Sequence, residues 1–331
     1  MTAPSAAGSD ARTAETERML SIHLTDRCNN RCRFCVVDSP SILKELVSRE
    51  RVLAFLTENA GRGYAGVNLH GGEPTTRRDF LEILTAIRDL GYPTVILQTN
   101  ARKLSRSDFA KQCIDLGVPK VVVSVHGSTS AVHDTITMVD NSLRHAVHGI
   151  RNVKALGVHV RTNSVVSEMN YQDLPDIASL IVSLGVDHVN ISALHTQGTA
   201  MKNFDEVTPR YRAAEPYVRE AVRRVRESGT VLTLEGFPFC TIAGDEHHVI
   251  DWDRQKFKML FRNEVLEDYE DYMDHAMRVQ GPPCEGCPQR TRCGGVYKEY
   301  IQAFGWDEFG PAVAGGTAVV GGAAVEGGPD A

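Results

Sequence analysis

Residues 19–35 read MLSIHLTDRCNNRCRFC, and the organisation of the 331-residue chain can be worked outward from them. The first seven form a β-rich run that starts apolar and ends on His23 and Thr25, two polar residues on one face of a strand. Three cysteines, Cys28, Cys32 and Cys35, follow at once. Comparable runs recur at 65–70, 94–99, 119–125, 158–166 and 187–193, with helical patterns between them at 41–60, 77–90, 105–116, 142–156 and 171–184. Gly91, Gly117, Gly157 and Gly185 stand where helices should stop before the next strand. Repeated βα units with apolar strands predict a parallel sheet covered by helices, either doubly wound or an incomplete (β/α) barrel.

Each strand also ends on two polar residues spaced two apart. The pairs are His23/Thr25, Asn68/His70, Gln98/Asn100, Ser124/His126, Arg161/Asn163 and Asn190/Ser192. Buried polar groups are costly unless they are partnered. Six such pairs therefore point to a ligand site across the carboxyl ends of the strands, though locally satisfied strand ends remain the alternative.

Composition narrows the classes. Hydrophobic residues at 42% and charged residues at 24% are globular values. No apolar run reaches the roughly 18 residues of a membrane span, and no signal peptide is evident, so a cytoplasmic protein is expected. A net charge of −6 argues against broad nucleic-acid binding. Residues 1–17 and the Gly/Ala-rich 310–331 read as disordered ends. The barrel unit is expected over 18–200. A smaller unit should follow over 201–309, with a charged helix at 208–228, a strand at 230–235 and an irregular cysteine-bearing remainder. The acidic run 264–274 reads as a solvated helix face.

The eight cysteines cluster, which in a reducing compartment points to metal rather than disulfides. Cys28-x3-Cys32-x2-Cys35 can wrap one cluster and leave one vertex open; a zinc ion with a distant fourth ligand is the alternative. Cys113 lies inside a helix and reads as packing. His247 and His248 sit beside Asp245 and Glu246, without a spacing that singles out a base.

With Phe34 in the aromatic position, the triplet resembles the signature of the radical SAM enzymes. The resemblance implies a partial (β/α)6 TIM-like barrel and a 4Fe–4S cluster on the three cysteines. It also implies S-adenosylmethionine (SAM) on the open iron, cleaved to a 5′-deoxyadenosyl radical that takes hydrogen from a substrate. Gly71-Gly72-Glu73-Pro74 is similar to the family's GGEP element, where glycines let backbone carbonyls approach the methionyl ammonium and Glu73 adds charge complementarity. QTNA at 98–101, with Asn100, SVHGS at 124–128 and RTNSVV at 161–166 look like its later strand ends. By the same resemblance Ser124 and Arg161 reach the methionyl carboxylate, with Asn163 and Asn190 near the ribose.

Cys284-x2-Cys287-x5-Cys293, preceded by Cys240, resembles the auxiliary-cluster region of the SPASM or twitch subgroup. The family's next cysteine falls on Tyr297, so four cysteines imply one auxiliary 4Fe–4S cluster; structural zinc is the alternative. Cys240 is either the fourth ligand or a free thiol that donates hydrogen to a product radical. The expected function is a radical enzyme acting on a small molecule such as an amino sugar or nucleoside intermediate, because peptide-modifying members of the family often carry an N-terminal recognition domain and only about 18 residues precede the first strand. A peptide-modifying maturase and a non-catalytic iron–sulfur sensor are the alternatives. An electron donor such as flavodoxin or ferredoxin is the expected partner, with neither membrane nor nucleic acid.

Overall fold

The computed structural model describes residues 17–38, 47–250, 255–268 and 277–311. The expected disordered ends fall almost wholly outside the described residues, as do 41–46 of the first helix and 269–274 of the acidic run. Seven parallel strands follow in order: β1 (Glu17–His23), β2 (Gly66–His70), β3 (Val95–Thr99), β4 (Lys120–Ser124), β5 (His159–Val165), β6 (His188–Ser192) and β7 (Val231–Glu235). The helices between them include α1 (Arg49–Asn59), α2 (Phe80–Asp89), α3 (Ser107–Asp115), α4 (Ser130–Thr137), α5 (Ser142–Ala155) and α6 (Leu174–Ser183). Short helices α7 (Thr199–Lys202) and α8 (Phe204–Val207) precede the long α9 (Tyr211–Glu227).

The sheet is a partial barrel, open at both edges. Strand positions that face the helices are apolar and fully buried, among them Leu20, Ile22, Val67, Leu69, Leu97, Val123 and Val160. They pack with Phe55, Leu56, Phe80 and Ile83 of α1 and α2, each such side chain stabilising by about 1.5–3 kcal/mol when fully buried. Gly91, Gly117, Gly157 and Gly185 have positive φ and end their helices as expected.

The sheet runs past residue 200. The 230–235 strand, expected in the smaller unit, is β7 and pairs parallel with β6. Residues 255–261, expected to be irregular, form β8 (Gln255–Phe261), which pairs parallel with β1 on its free edge. The acidic segment was expected as a helix face, but its described start is strand β9 (Glu264–Leu266), folded back antiparallel on β8 through Arg262 at φ +54°. Alternating Phe257, Met259 and Phe261 suit a strand with one apolar face. A small hairpin, β10 (Arg278–Val279) with β11 (Val296–Tyr297), and a final helix Lys298–Phe304 complete the described chain.

Candidate active site: a cysteine loop over a polar lumen

Register places Ser21 and His23 beside Asn68 and His70, Gln98 beside Val122, Ser124 beside Asn163, and Asn190 beside Thr233. These positions share the sheet face away from the helices. Their side chains join across it: Asn68 donates to Ser21 at 3.3 Å, Gln98 to Asn68 at 3.2 Å, and Asn190 to Asn163 at 2.7 Å and to Glu235 at 2.9 Å. The polar strand ends thus line one lumen. Arg161 Nη2 stands 3.9 Å from Glu235 Oε2. Both His70 Nε2 and Arg161 Nε are buried without a hydrogen-bond partner, polar atoms left over for a ligand.

The cysteine loop crosses the carboxyl end of this lumen. Gly72 N–H donates to Thr25 O at 2.6 Å and Glu73 N–H to Arg27 O at 2.8 Å, so the GGEP turn fastens the chain just before Cys28. Arg31 and Arg33 donate from their backbones to Thr137 O and Ile136 O at the end of α4. Thr199 N–H, at the start of α7, donates to Cys35 O. Phe34 is buried with Ile136, Leu194, Ala200 and Val207, edge-on to His126 at 4.9 Å. Its ring anchors the loop.

Asn30 N–H lies 3.3 Å and Asn100 Nδ2 3.8 Å from Cys28 Sγ. Burial pushes the Cys28 thiol up to about 12 and Cys32 well above its usual value, and each of the other two cysteines raises Cys32 further. Such thiols are poor nucleophiles, but a bound cation deprotonates a coordinating thiol outright. Among the described residues no three His, Cys, Asp or Glu side chains are gathered to hold a single metal ion. The donor set, three neighbouring half-buried thiols, fits a multi-iron cluster better than zinc.

Two expectations about GGEP change. The Gly72 side that a side chain would occupy faces the protein: a Cβ would sit 2.4 Å from Arg27 O and 2.7 Å from Asp26 O. Gly71, at φ +138°, has its Cβ position 2.5 Å from Thr25 O. Both glycines let the turn pack on the cysteine loop, rather than clear space for a ligand on that side. Glu73 was expected to offer charge to SAM, yet its carboxylate is fully buried. It accepts from Thr75 N–H and Oγ1, Thr99 Oγ1 and Asn100 N–H, tying β2 to β3. Pro74 starts the short turn that follows. Gly72→Val is therefore expected to displace the cysteine loop itself, and iron at the triplet should fall along with SAM affinity. Full iron content with weakened SAM binding would contradict this.

Sequence reasoning missed the support beneath the loop. Buried His23 Nε2 and Asp26 Oδ1 are 2.6 Å apart, and Arg262, from the turn between β8 and β9, brings Nε to 3.4 Å from Asp26 Oδ2. Burial, then the Arg262 charge, lowers His23 to about 4, so its imidazole is neutral at pH 7. Local sequence carries no sign of this contact, which spans more than 200 residues.

Other histidines are buried neutral too. Burial holds His70 and His126 near 3 and His133 and His188 near 4. Unfolded, each binds a proton near pH 6.5, so the unfolded state takes up more protons as pH falls. Stability should be level between about pH 7 and pH 8 and drop by about 1.4 kcal/mol per histidine per pH unit below about 6.5. Denaturant midpoints at pH 7.5 and pH 5.5 check this; equal midpoints would contradict it.

At the other cysteine set, Cys240, Cys284, Cys287 and Cys293 line one cavity of about 400 Å³, part of it open to solvent, with Phe239, Gln280 and Arg290. Phe239 N–H and Gly295 N–H approach Cys293 Sγ at 3.5 and 3.4 Å. Gln280 Nε2 donates to Cys293 O and Arg290 O, bracing the loop. Burial raises Cys240 to about 11, with Cys293 and Cys284 close enough to add to it. Tyr297 is buried against His195, ring centroids 4.9 Å apart. Cys113 is buried in the core, as expected of a packing residue.

Comparison with known proteins adds three findings. The Radical SAM superfamily matches residues 22–181. A protein named "Probable GTP 3′,8-cyclase" from Sulfurisphaera tokodaii is 30% identical over 187 residues, and one of the same name from Saccharolobus islandicus is 32% identical over 188. Each match takes in 56% of this chain and spans only about three-fifths of the relative, 59% and 60%. The fold resembles Streptococcus suis SuiB bound to S-adenosylmethionine, at TM-score 0.60 and 17% identity, covering 87% of this chain and 75% of that one. Methylornithine synthase (PylB) has TM-score 0.51 at 14% identity, covering 67% and 65%.

Proposed function

This chain belongs to the radical SAM superfamily through residues 22–181, and from that premise we propose that it is an enzyme acting on a small polar substrate without phosphate groups, held in the lumen. An amino sugar or a nucleoside is the class expected. When bound, the 4Fe–4S cluster and SAM supply a 5′-deoxyadenosyl radical, which takes hydrogen from that substrate. In this reading Cys28, Cys32 and Cys35 hold the cluster. The backbone of Gly71–Pro74 meets the methionyl group, with Phe34 and Asn100 fixing the loop. Ser124, Arg161, Asn163 and Asn190 orient SAM along the polar strand ends. Cys240, Cys284, Cys287 and Cys293 hold one auxiliary 4Fe–4S cluster, as in the twitch arrangement. A reduced flavodoxin or ferredoxin in the cytoplasm supplies the electron. Among the described residues no helix is long and apolar enough to cross a membrane.

The observation that carries the substrate class is the charge of the lumen. Past the exposed Lys120 at the amino end of β4, Arg161 is the one cation on the lumen-facing strand positions of β1 to β7, and Glu235 stands beside it. His23, His70 and His188 are neutral at pH 7. A triphosphate brings several negative charges and calls for arginine or lysine clamps. Amides and hydroxyls such as Asn68, Gln98 and Thr233 suit hydroxyl, amine and amide groups instead. GTP, the substrate in the relatives' name, is therefore not expected here.

Anaerobic incubation with SAM, dithionite and panels of nucleosides, amino sugars, short peptides and GTP tests the class. Substrate-dependent turnover with a nucleoside or an amino sugar is expected. Turnover with GTP alone would overturn the reading, and turnover with peptides alone would move it to the maturase class.

A further inference from the structure

We propose that the outer side of the cysteine loop is the docking face for an acidic one-electron carrier protein. The proposal rests on the reading of that loop as a cluster loop, and adds which surface of the chain receives the electron.

The loop lies between two supports. On one side Arg31 and Arg33 bond the end of α4, so exposed Met138, 49% accessible, flanks Arg31. On the other, α7 is tied to the loop by Thr199 on Cys35 O and by Asn203 Nδ2 on Arg33 O. This brings Val36 and Met201, 48% and 50% accessible, to the same rim. These are three of only five large apolar side chains exposed among the described residues, and all three border one loop.

Charge on this rim opposes that of the whole chain. The chain carries −6, yet Arg27, Arg31 and Arg144 are exposed here with no carboxylate partner among the described residues. Arg102 joins them: its Nη1 donates to Asn29 O and Asn30 Oδ1, and Asn30 N–H reaches Cys28 Sγ. Arg102 and Arg144 both bear on His145, whose pKa burial and then these two charges lower. The nearby acids are largely spent: Glu206 on Arg33, Asp38 on Lys202, and Asp134 on Ser142 and backbone N–H groups. Asp140 and Asp205 are the exposed acids left on this side.

Unpaired arginines around a few exposed apolar side chains, over half-buried thiols, make a surface for a transient, electrostatically steered partner. The partner's chemistry follows from the charge: an acidic protein with its redox group near its surface. One electron leaves the carrier's reduced flavin or iron–sulfur group and enters the loop's cluster, with no proton required.

The test compares two reductants on the reconstituted full chain. Arg144→Glu/Met201→Glu, on the helices beside the loop, is expected to lower SAM cleavage driven by reduced flavodoxin by about tenfold or more, and to weaken flavodoxin binding in a direct titration. Its iron content and dithionite-driven cleavage should match wild type, since neither side chain touches the site. Raising salt should slow the flavodoxin-driven rate of wild type and leave the variant's nearly flat. Equal flavodoxin-driven rates and affinities in variant and wild type would overturn the docking face. If wild type fails to cleave SAM even with dithionite, the cluster reading falls, and the docking face with it.

Discussion

Alanine at Cys28, Cys32 and Cys35 together is expected to abolish 5′-deoxyadenosine formation and to halve iron from about eight to about four per chain, the content of two cubanes and one. The three thiols sit on a loop pinned by the GGEP turn, α4 and α7, so its path does not depend on the thiols themselves. The second cysteine set lies beyond β7 in a separate cavity. The auxiliary iron should therefore stay, and absorbance and Mössbauer spectra should show one remaining cluster. Loss of all iron would mean that the two sites fold as one. Cleavage at the wild-type rate would remove the loop from the chemistry altogether.

Cys240→Ala has the second-largest expected effect. Cys240 lines the same cavity as Cys284, Cys287 and Cys293, and it lies on the short turn Phe239–Thr241 rather than on a lumen-facing strand. That position favours the fourth-ligand role over hydrogen donation, which requires the thiol to meet the substrate. The variant should lose or spectrally alter the auxiliary cluster and keep the loop's four irons. SAM cleavage without substrate should persist, while substrate conversion falls. An intact auxiliary cluster combined with an unquenched substrate radical would assign Cys240 to hydrogen donation instead.

What the sequence revealed follows from the range of the interactions involved. Strands β1 to β6, the helices between them other than the unexpected α4, and the glycines that end those helices are set by periodicity and by local backbone geometry, and both are visible in a short window. The polar lumen was legible because spacing by two puts His23, Asn68, Ser124 and Asn190 near the same strand ends. Sheet membership was less so. Nothing local says that 230–235 extends the same sheet, or that 255–261 pairs with β1 rather than lying in an irregular loop. Edge pairing is a long-range choice; the alternation of Phe257, Met259 and Phe261 marked a strand but not its neighbour. Glu73 shows the same limit within a motif. Its position was plain, but that its carboxylate would be taken up by Thr75, Thr99 and Asn100 depends on how β3 lies beside β2. The Asp26–Arg262 contact joins the first strand's loop to a hairpin at the far end of the chain, and had no sequence signal at all.

The role proposed for Cys28, Cys32 and Cys35 is to hold the cluster that cleaves SAM reductively. The most direct measurement is 5′-deoxyadenosine formed by the anaerobically reconstituted protein with SAM and dithionite, with the triple alanine variant run beside it. 5′-Deoxyadenosine and methionine are expected from wild type and none from the variant. No 5′-deoxyadenosine from wild type carrying its full iron, or equal amounts from both proteins, would contradict it.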